Sequence, residues 1–312
     1  MSEFDVVTGA LSYTGRHIAE KLLGAGRRVR TLTGHPDRPH SLADRVEVFP
    51  YDFEDPRRMS AVMQGAGVLY NTYWERFGRR GAGFAPAIQN SRALIEAARL
   101  AGVSRIVHIS ISNPERRPDL PYFAGKLEVE RAVKTSGIGF GIVRPTVVFG
   151  AGDVLFNNIA WLIRRFPFFA LAGDGNYPVQ PVHVEDVAEG CVQSGAEADD
   201  LVVDAAGPES FSFRQLVSLV GEAVGRRERL VGVPPLAVMT LSMIVGAITG
   251  DVLVTGEEIE GLMDGLAVSE QEPRGRIVFS EWVRRAGPEL GISYASETER
   301  HRRTARSLEE AS

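Results

Sequence analysis

Tyr122 and Lys126 stand four residues apart in Tyr122-Phe-Ala-Gly-Lys126, a spacing that puts both on one face of a helix. A phenol with an unperturbed pKa of about 10 is a poor base at neutrality, and a nearby ammonium stabilises its phenolate and lowers that value. The pair therefore suits proton exchange with a hydroxyl or carbonyl oxygen. Lysine is rare in this chain: of 35 basic residues, only Lys21, Lys126 and Lys134 are lysines. Chance alone gives a tyrosine with lysine four residues on in roughly 7% of chains of this composition. An ordinary amphipathic surface helix produces the same spacing, so the pair needs support from its position.

The first turn of the chain gives that support. Thr8-Gly9-Ala10-Leu11-Ser12-Tyr13-Thr14-Gly15-Arg16 follows a short apolar run and opens a helix-length segment. Gly9 permits a tight turn, Ala10 and the small neighbours let the backbone approach a pyrophosphate, and Gly15 allows close helix packing. The helix start, with Tyr13, Thr14 and Arg16, adds free N–H groups and a positive dipole end. Ser12 stands where the middle glycine of such loops normally lies. It adds a Cβ at the closest approach, while its hydroxyl is able to donate to a phosphate. The competing reading is a degenerate loop that no longer binds nucleotide.

The tip of the second strand reads Leu32-Thr33-Gly34-His35-Pro36-Asp37-Arg38 and carries no carboxylate to hold a ribose 2'-OH. Arg16, His35 and Arg38 are available to a 2'-phosphate, which favours NADP over NAD; an inward-turned Asp37 would reverse this. Asp52 and Phe53 are placed to meet the adenine edge, with a helix cap and core packing as the bland alternative. Asn71 and Pro145 are further cofactor candidates at strand ends. Tyr73 and Trp74 follow the fourth strand, where doubly wound sheets bind ligands, and Asn157 and Asn158 are candidates for the opposite wall of a substrate pocket. Aromatic packing competes for Tyr73 and Trp74, and His108 and His183 read as core histidines.

These residues need a scaffold, and the chain supplies one by alternating apolar runs with helix-length segments. Strands are expected at Asp5 to Thr8, Arg28 to Thr33, Val46 to Pro50, Val68 to Tyr73, Arg105 to Ser110 and Phe140 to Arg144. Helices are expected at Gly15 to Ala25, Pro56 to Gln64, Phe84 to Ala101 and Phe123 to Thr135. This is the pattern of an α/β protein with a Rossmann-like doubly wound parallel sheet. After Gly150 the rhythm breaks, and from Phe211 onward the pattern is mostly helical. The expected organisation is an NAD(P)-binding domain over residues 1–150, to which 179–207 return, and a smaller, mostly helical substrate lobe over 151–178 and 208–312.

Composition narrows the function classes. The chain has 312 residues, 44% hydrophobic and 24% charged, with a formal net charge of -5, which speaks against a nucleic-acid binder. A single cysteine, Cys191, excludes an internal disulfide framework and a multi-Cys zinc site, and points to a reducing compartment. No metal is expected, and the acidic stretch Met1 to Val7 does not resemble a secretory signal, so the expected location is cytoplasmic. Val231 to Gly250 is free of charge, but its prolines leave only about 14 residues for a helix, which favours a buried or interfacial element, with membrane or partner contact as the alternative.

Taken together, the loop Thr8 to Gly15, Asp52, Tyr122 to Lys126, Val143-Arg144-Pro145-Thr146 and Pro181-Val-His-Val-Glu-Asp-Val-Ala188 resemble the extended and atypical short-chain dehydrogenase/reductase superfamily. The resemblance spans Asp5 to Ala206 and is closest to NmrA-like and complex I accessory-subunit-like NAD(P)-binding proteins. It implies that Tyr122 exchanges a proton with substrate while a nicotinamide exchanges the hydride, and that Lys126 activates the tyrosine and holds the ribose. The serine or threonine that the family places after the fifth strand falls on Ile111; Ser112 beside it is the chosen donor to a substrate oxygen, with a loop-start serine as the alternative. The expected function is an NAD(P)-dependent oxidoreductase or epimerase-like enzyme acting on a small organic hydroxyl or carbonyl, with a homodimer allowed. The alternative is a non-catalytic NAD(P)H-binding sensor or scaffold.

Overall fold

The computed structural model describes residues 4–38, 40–42, 44–75, 83–227 and 229–296. The expected alternation is present from the start: β1 (Phe4–Thr8), α1 (Tyr13–Gly24), β2 (Arg28–Thr33), β3 (Glu47–Pro50), α2 (Pro56–Met63), β4 (Ala66–Asn71), α3 (Ala85–Ala101), β5 (Arg105–Ile109), α4 (Pro121–Lys134) and β6 (Gly139–Pro145). The chain continues through β7 (Val147–Phe149), α5 (Leu155–Arg165), β8 (Phe168–Ala172), β9 (Pro178–Val179) and β10 (Pro181–His183). It then forms α6 (Val184–Ala196) and β11 (Leu201–Ala205). The C-terminal part holds β12 (Phe211–Ser212), α7 (Phe213–Ala223), β13 (Arg229–Val233), α8 (Pro235–Thr249), α9 (Gly256–Met263) and α10 (Phe279–Ala286).

Two compact units divide these elements, Met1–Pro145 with Val184–Ala205, and Thr146–His183 with Ala206–Ser312. The first unit is built on a seven-stranded parallel sheet in the order β3-β2-β1-β4-β5-β6-β11. Helices on both faces explain why its central strands are continuous apolar runs. Val6, Leu69, Ile106 and Ile142 are fully buried there, each worth roughly 2 kcal/mol of apolar burial. The strand order reverses between β1 and β4, and ligands of doubly wound sheets bind beyond the strand tips at such a point. Thr8 and Asn71 end those two strands, and Thr72 fastens them by donating Oγ1–H to the Thr8 carbonyl at 2.6 Å and N–H to Thr8 Oγ1 at 2.8 Å.

The second unit pairs β7 with β10, β8 with β13 and β9 with β12. Its core gathers Phe149, Phe156, Leu216, Val220 and Phe279. A capping box between Ser212 and Gln215 starts α7. The expected burial of Val231 to Gly250 is corrected here. Only Gly246 of α8 is buried, while Leu236, Met243 and Ile248 are 72%, 73% and 76% exposed. An uncharged segment with two leading prolines does form a helix of the expected length, but periodicity does not say what covers it. Among the described residues no helix is long and apolar enough to cross a membrane.

Candidate functional site

The turn between β1 and α1 is shaped by its glycines. Gly9 adopts φ +65°, and a Cβ there would meet Ser12 Oγ at 2.8 Å and Thr72 Oγ1 at 3.4 Å. A Cβ on Gly15 would collide with the Gly9 carbonyl oxygen, which is the close helix packing expected of that position. Ala10 is fully buried and donates its N–H to Thr31 Oγ1 at 3.0 Å. Ser12 is exposed, and its hydroxyl turns back onto the Gly9 carbonyl at 2.5 Å. The serine is thereby folded against its own turn, and the first-turn N–H groups of α1, from Tyr13 through Thr14 to Gly15, are outside the intrahelical ladder that begins when Arg16 N–H bonds Ser12 O. A cradle that additional Cβ atoms would fill, opening on a helix N-terminus, fits the diphosphate of a dinucleotide.

Beyond β2 the chain turns tightly, with His35 N–H donating to Thr33 Oγ1 at 3.1 Å and Arg38 N–H to the His35 carbonyl at 3.2 Å. Asp37 is exposed. Burial and the positive charges of Arg16 and Arg38 lower the pKa of His40, with Glu20 opposing. Arg16 and Arg38 thus direct positive charge at a His40 that favours its neutral form. His40 escaped sequence reasoning because nothing local distinguishes it from a loop histidine. Arg16 also meets His17 Nε2 at 3.2 Å, and His17 Nδ1 is hydrogen-bonded to Glu185 on α6.

Asp52 and Phe53 lie just before α2, where Phe53 packs as the bland alternative had it but Asp52 is not the helix cap. Asp52 accepts from Asp55 N–H and Arg58 Nη1, both at 3.1 Å, at the entry to α2. The N-cap itself is Asp55. Phe53 stacks on Tyr51 at 4.7 Å and tilts against Tyr73 at 5.0 Å. Tyr73 is buried, and its hydroxyl donates to Glu75 at 2.9 Å and accepts from Asn90 at 2.7 Å. Its ring and hydroxyl are both engaged within the core of the unit.

At the start of α4 the expected pair meets an aromatic wall. The Lys126 ammonium lies 4.4 Å from the centroid of the Trp74 ring and 3.5 Å from the Ile109 carbonyl oxygen. Tyr122 meets the same indole edge-on at 5.8 Å and tilts against Phe84 at 5.5 Å, while Trp74 stacks on Phe84. Gly125 makes this approach fit, since a Cβ there would sit 3.1 Å from the indole. Lys126 is 5% exposed, and burial pushes its pKa down to about 7, with Glu130 opposing. The amine thus changes charge near neutrality, which is unusual for lysine.

Behind it lies a polar layer that sequence spacing did not reveal. Arg144 on β6 holds the fully buried Glu130 by two hydrogen bonds of 2.9 and 2.7 Å and reaches Glu115 at 3.2 Å. Burial works against the Glu130 carboxylate, but the Arg144 guanidinium and the Lys134 ammonium at 3.4 Å hold its pKa below the usual range. His108 is fully buried, with Nδ1 3.3 Å from Asn71 Nδ2. Burial and the Lys126 charge push its pKa down to about 3, so it is neutral. Asn71 also accepts from Tyr73 N–H at 3.1 Å and from Thr8 Oγ1 at 3.4 Å. Ser112 is buried, and its N–H donates to the Pro145 carbonyl at 3.1 Å, which ties the β5 and β6 tips together.

Asn157 and Asn158 do other work in the second unit. Asn157 bonds Ser293 O and Gly291 N, and Asn158 bonds Ala295 O and N, at 2.9 to 3.0 Å. Their amides fasten residues 291–295 onto α5.

Residues 9–152 match the family model described as NAD(P)H-binding. A ceramide reductase of Caulobacter vibrioides is 29% identical over 251 residues, covering 77% of this chain and 77% of its own. The 40 kDa subunit of the mitochondrial NADH-ubiquinone oxidoreductase of Neurospora crassa is 22% identical over 273 residues, covering 81% and 69%. Among solved structures, the Citrobacter sp. triphenylmethane reductase complexed with NADP(H) shares the fold, with a TM-score of 0.75 over 91% of this chain and 99% of that one at 17% identity. The turn, the strand order and these matches agree: residues 9–152 form an NAD(P)H-binding domain on a Rossmann-like fold shared with known reductases.

Proposed function

We propose that this protein is an NADPH-dependent reductase that delivers hydride to the carbonyl carbon of an apolar organic substrate. The observation that carries this reading is the placement of Tyr122 and Lys126 on one indole, on the helix that follows β5. The diphosphate would lie on the N–H groups of residues 13–15, and a 2'-phosphate would meet Arg16, Arg38 and His40. NADPH, when bound, supplies the hydride. Tyr122 gives its proton to the carbonyl oxygen as negative charge develops there, and a protonated Lys126 eases the formation of the phenolate left behind. Ser112 is proposed as the second donor to that oxygen. The walls of Trp74, Phe84 and Tyr122 exclude water and match an apolar substrate, consistent with relatives named as a ceramide reductase and as a ketoreductase of a farnesyl-bearing quinoline oxide. A cytoplasmic, reducing location suits the buried thiol of Cys191.

Ile111, where the resemblance asks for a serine or threonine, favours a second reading in which NAD(P)H is bound without turnover. Relatives named as photosystem II assembly factors keep this reading in view. Steady-state NADPH oxidation with a long-chain ketone and an aryl ketone separates the two. The reductase reading expects ketone-dependent turnover that tracks protein concentration. Micromolar NADPH binding with no turnover on either ketone supports the second reading, and no binding of NADPH or NADH below millimolar defeats both.

A further inference from the structure

The α8 helix presents to solvent an apolar stripe that the NAD(P)H-binding reading does not use. Residues 231–250 carry no charge, and Leu236, Met243, Ile244 and Ile248 are 72%, 73%, 55% and 76% exposed. The opposite side of the helix is seated on its own unit: Gly246 approaches the Asp251 carbonyl, and Met239 packs against Gly256. The exposed large side chains of α8 together offer on the order of 600 Å² of apolar surface, as large as the whole apolar patch of an ordinary monomer and close to the roughly 800 Å² each partner gives to a stable interface.

The order of side chains along the stripe indicates what covers it. Leu236, Thr240, Met243 and Ala247 repeat at intervals of four, three and four, the seam of a helix that packs against another helix. Large and small residues alternate along this seam. Around an axis that crosses α8 between Leu241 and Ser242, the series reversed on itself puts Leu236 against Ala247 and Thr240 against Met243. Each large side chain of this seam then faces a small one, the self-complementarity that an isologous two-fold interface uses, with Ile244 and Ile248 flanking the seam. A lipid surface has no use for such alternation. The surrounding sequence also disfavours an anionic bilayer, because between Arg229 and Arg274 the chain has seven Asp and Glu and neither Lys nor Arg.

We propose that α8 is the dimerisation element of this protein, packing antiparallel on the α8 helix of a second copy with Leu236 of each chain seated on Ala247 of the other. Sedimentation velocity on the full chain from about 1 to about 100 µM tests this, since a helix-pair interface of this size is expected to dissociate in the micromolar range. The wild type is expected to reach twice its monomer mass. Ala247→Leu sets two large side chains against each other and is expected to weaken association at least about tenfold. Adding Leu236→Ala exchanges the large and small positions and is expected to restore association to within about threefold of wild type. Far-ultraviolet circular dichroism is expected to stay unchanged, as is the thermal midpoint measured well below the dissociation constant, where wild type and variants are all monomeric. A wild type monomeric at about 100 µM overturns the proposal, as does an Ala247→Leu variant that dimerises normally. Binding of a monomer to phosphatidylcholine vesicles without self-association assigns the stripe to lipid and overturns it equally.

Discussion

The Lys126 ammonium lies 4.4 Å from the centroid of the Trp74 ring. An indole face stabilises a cation less than a carboxylate does, and this amine is removed from water. Its charge is therefore easily lost, and the proposed activator of Tyr122 titrates where the protein works.

This has a consequence for stability. In the unfolded chain Lys126 keeps its proton up to the ordinary value of 10.5, and in the folded protein only up to about 7. Below pH 7 both states hold the proton, and the folded state bears the full cost of a buried charge. Between pH 7 and 10.5 the unfolded state binds more protons, so this residue makes folding more favourable as pH rises through that window. Lys126→Met is expected to raise the thermal midpoint of the cofactor-free protein by a few degrees at pH 6 and progressively less towards pH 10. Equal shifts at the two ends would count against the buried ammonium.

Cofactor preference is expected to depend on Arg38. Arg38→Ala removes a cation from the region it shares with Arg16 and His40. It is expected to weaken NADPH binding about 10- to 100-fold and leave NADH within about twofold, measured by fluorescence titration of each. A uniform loss for both nucleotides would place the 2'-phosphate elsewhere.

The buried pair under the helix is structural. Glu130 is fully buried and Arg144 largely so, and deleting Glu130 leaves the guanidinium with the more exposed Glu115 alone. Glu130→Ala is expected to destabilise the protein by about 3 to 5 kcal/mol in urea titration. A cost below about 1 kcal/mol would mean that Glu115 alone compensates Arg144.

How much of this was legible depended on whether a residue's partners lie near it in sequence. The Gly9 to Gly15 turn and the Tyr122/Lys126 spacing are local patterns on single elements, and the sheet order follows from alternation and handedness. Trp74, Phe84 and Lys126 meet only when the tail of β4 and the starts of α3 and α4 converge, and no spacing encodes that. The hold of Asn157 on Gly291 and Ser293 was equally invisible, because these partners are 134 and 136 positions away. The α8 helix was misread for a different reason. Absence of charge signals that a segment is covered, and does not say whether the cover belongs to the same chain.

The most direct test of the catalytic claim follows deuterium from NADPH labelled at nicotinamide C4 into a long-chain or aryl ketone, detected by mass spectrometry, in wild type and Tyr122→Phe. The expected result is label on the carbinol carbon with the wild type, and a rate about 100- to 10,000-fold lower for Tyr122→Phe with NADPH affinity unchanged. Label transferred equally fast by Tyr122→Phe, or no transfer by a wild type saturated with NADPH, would contradict it.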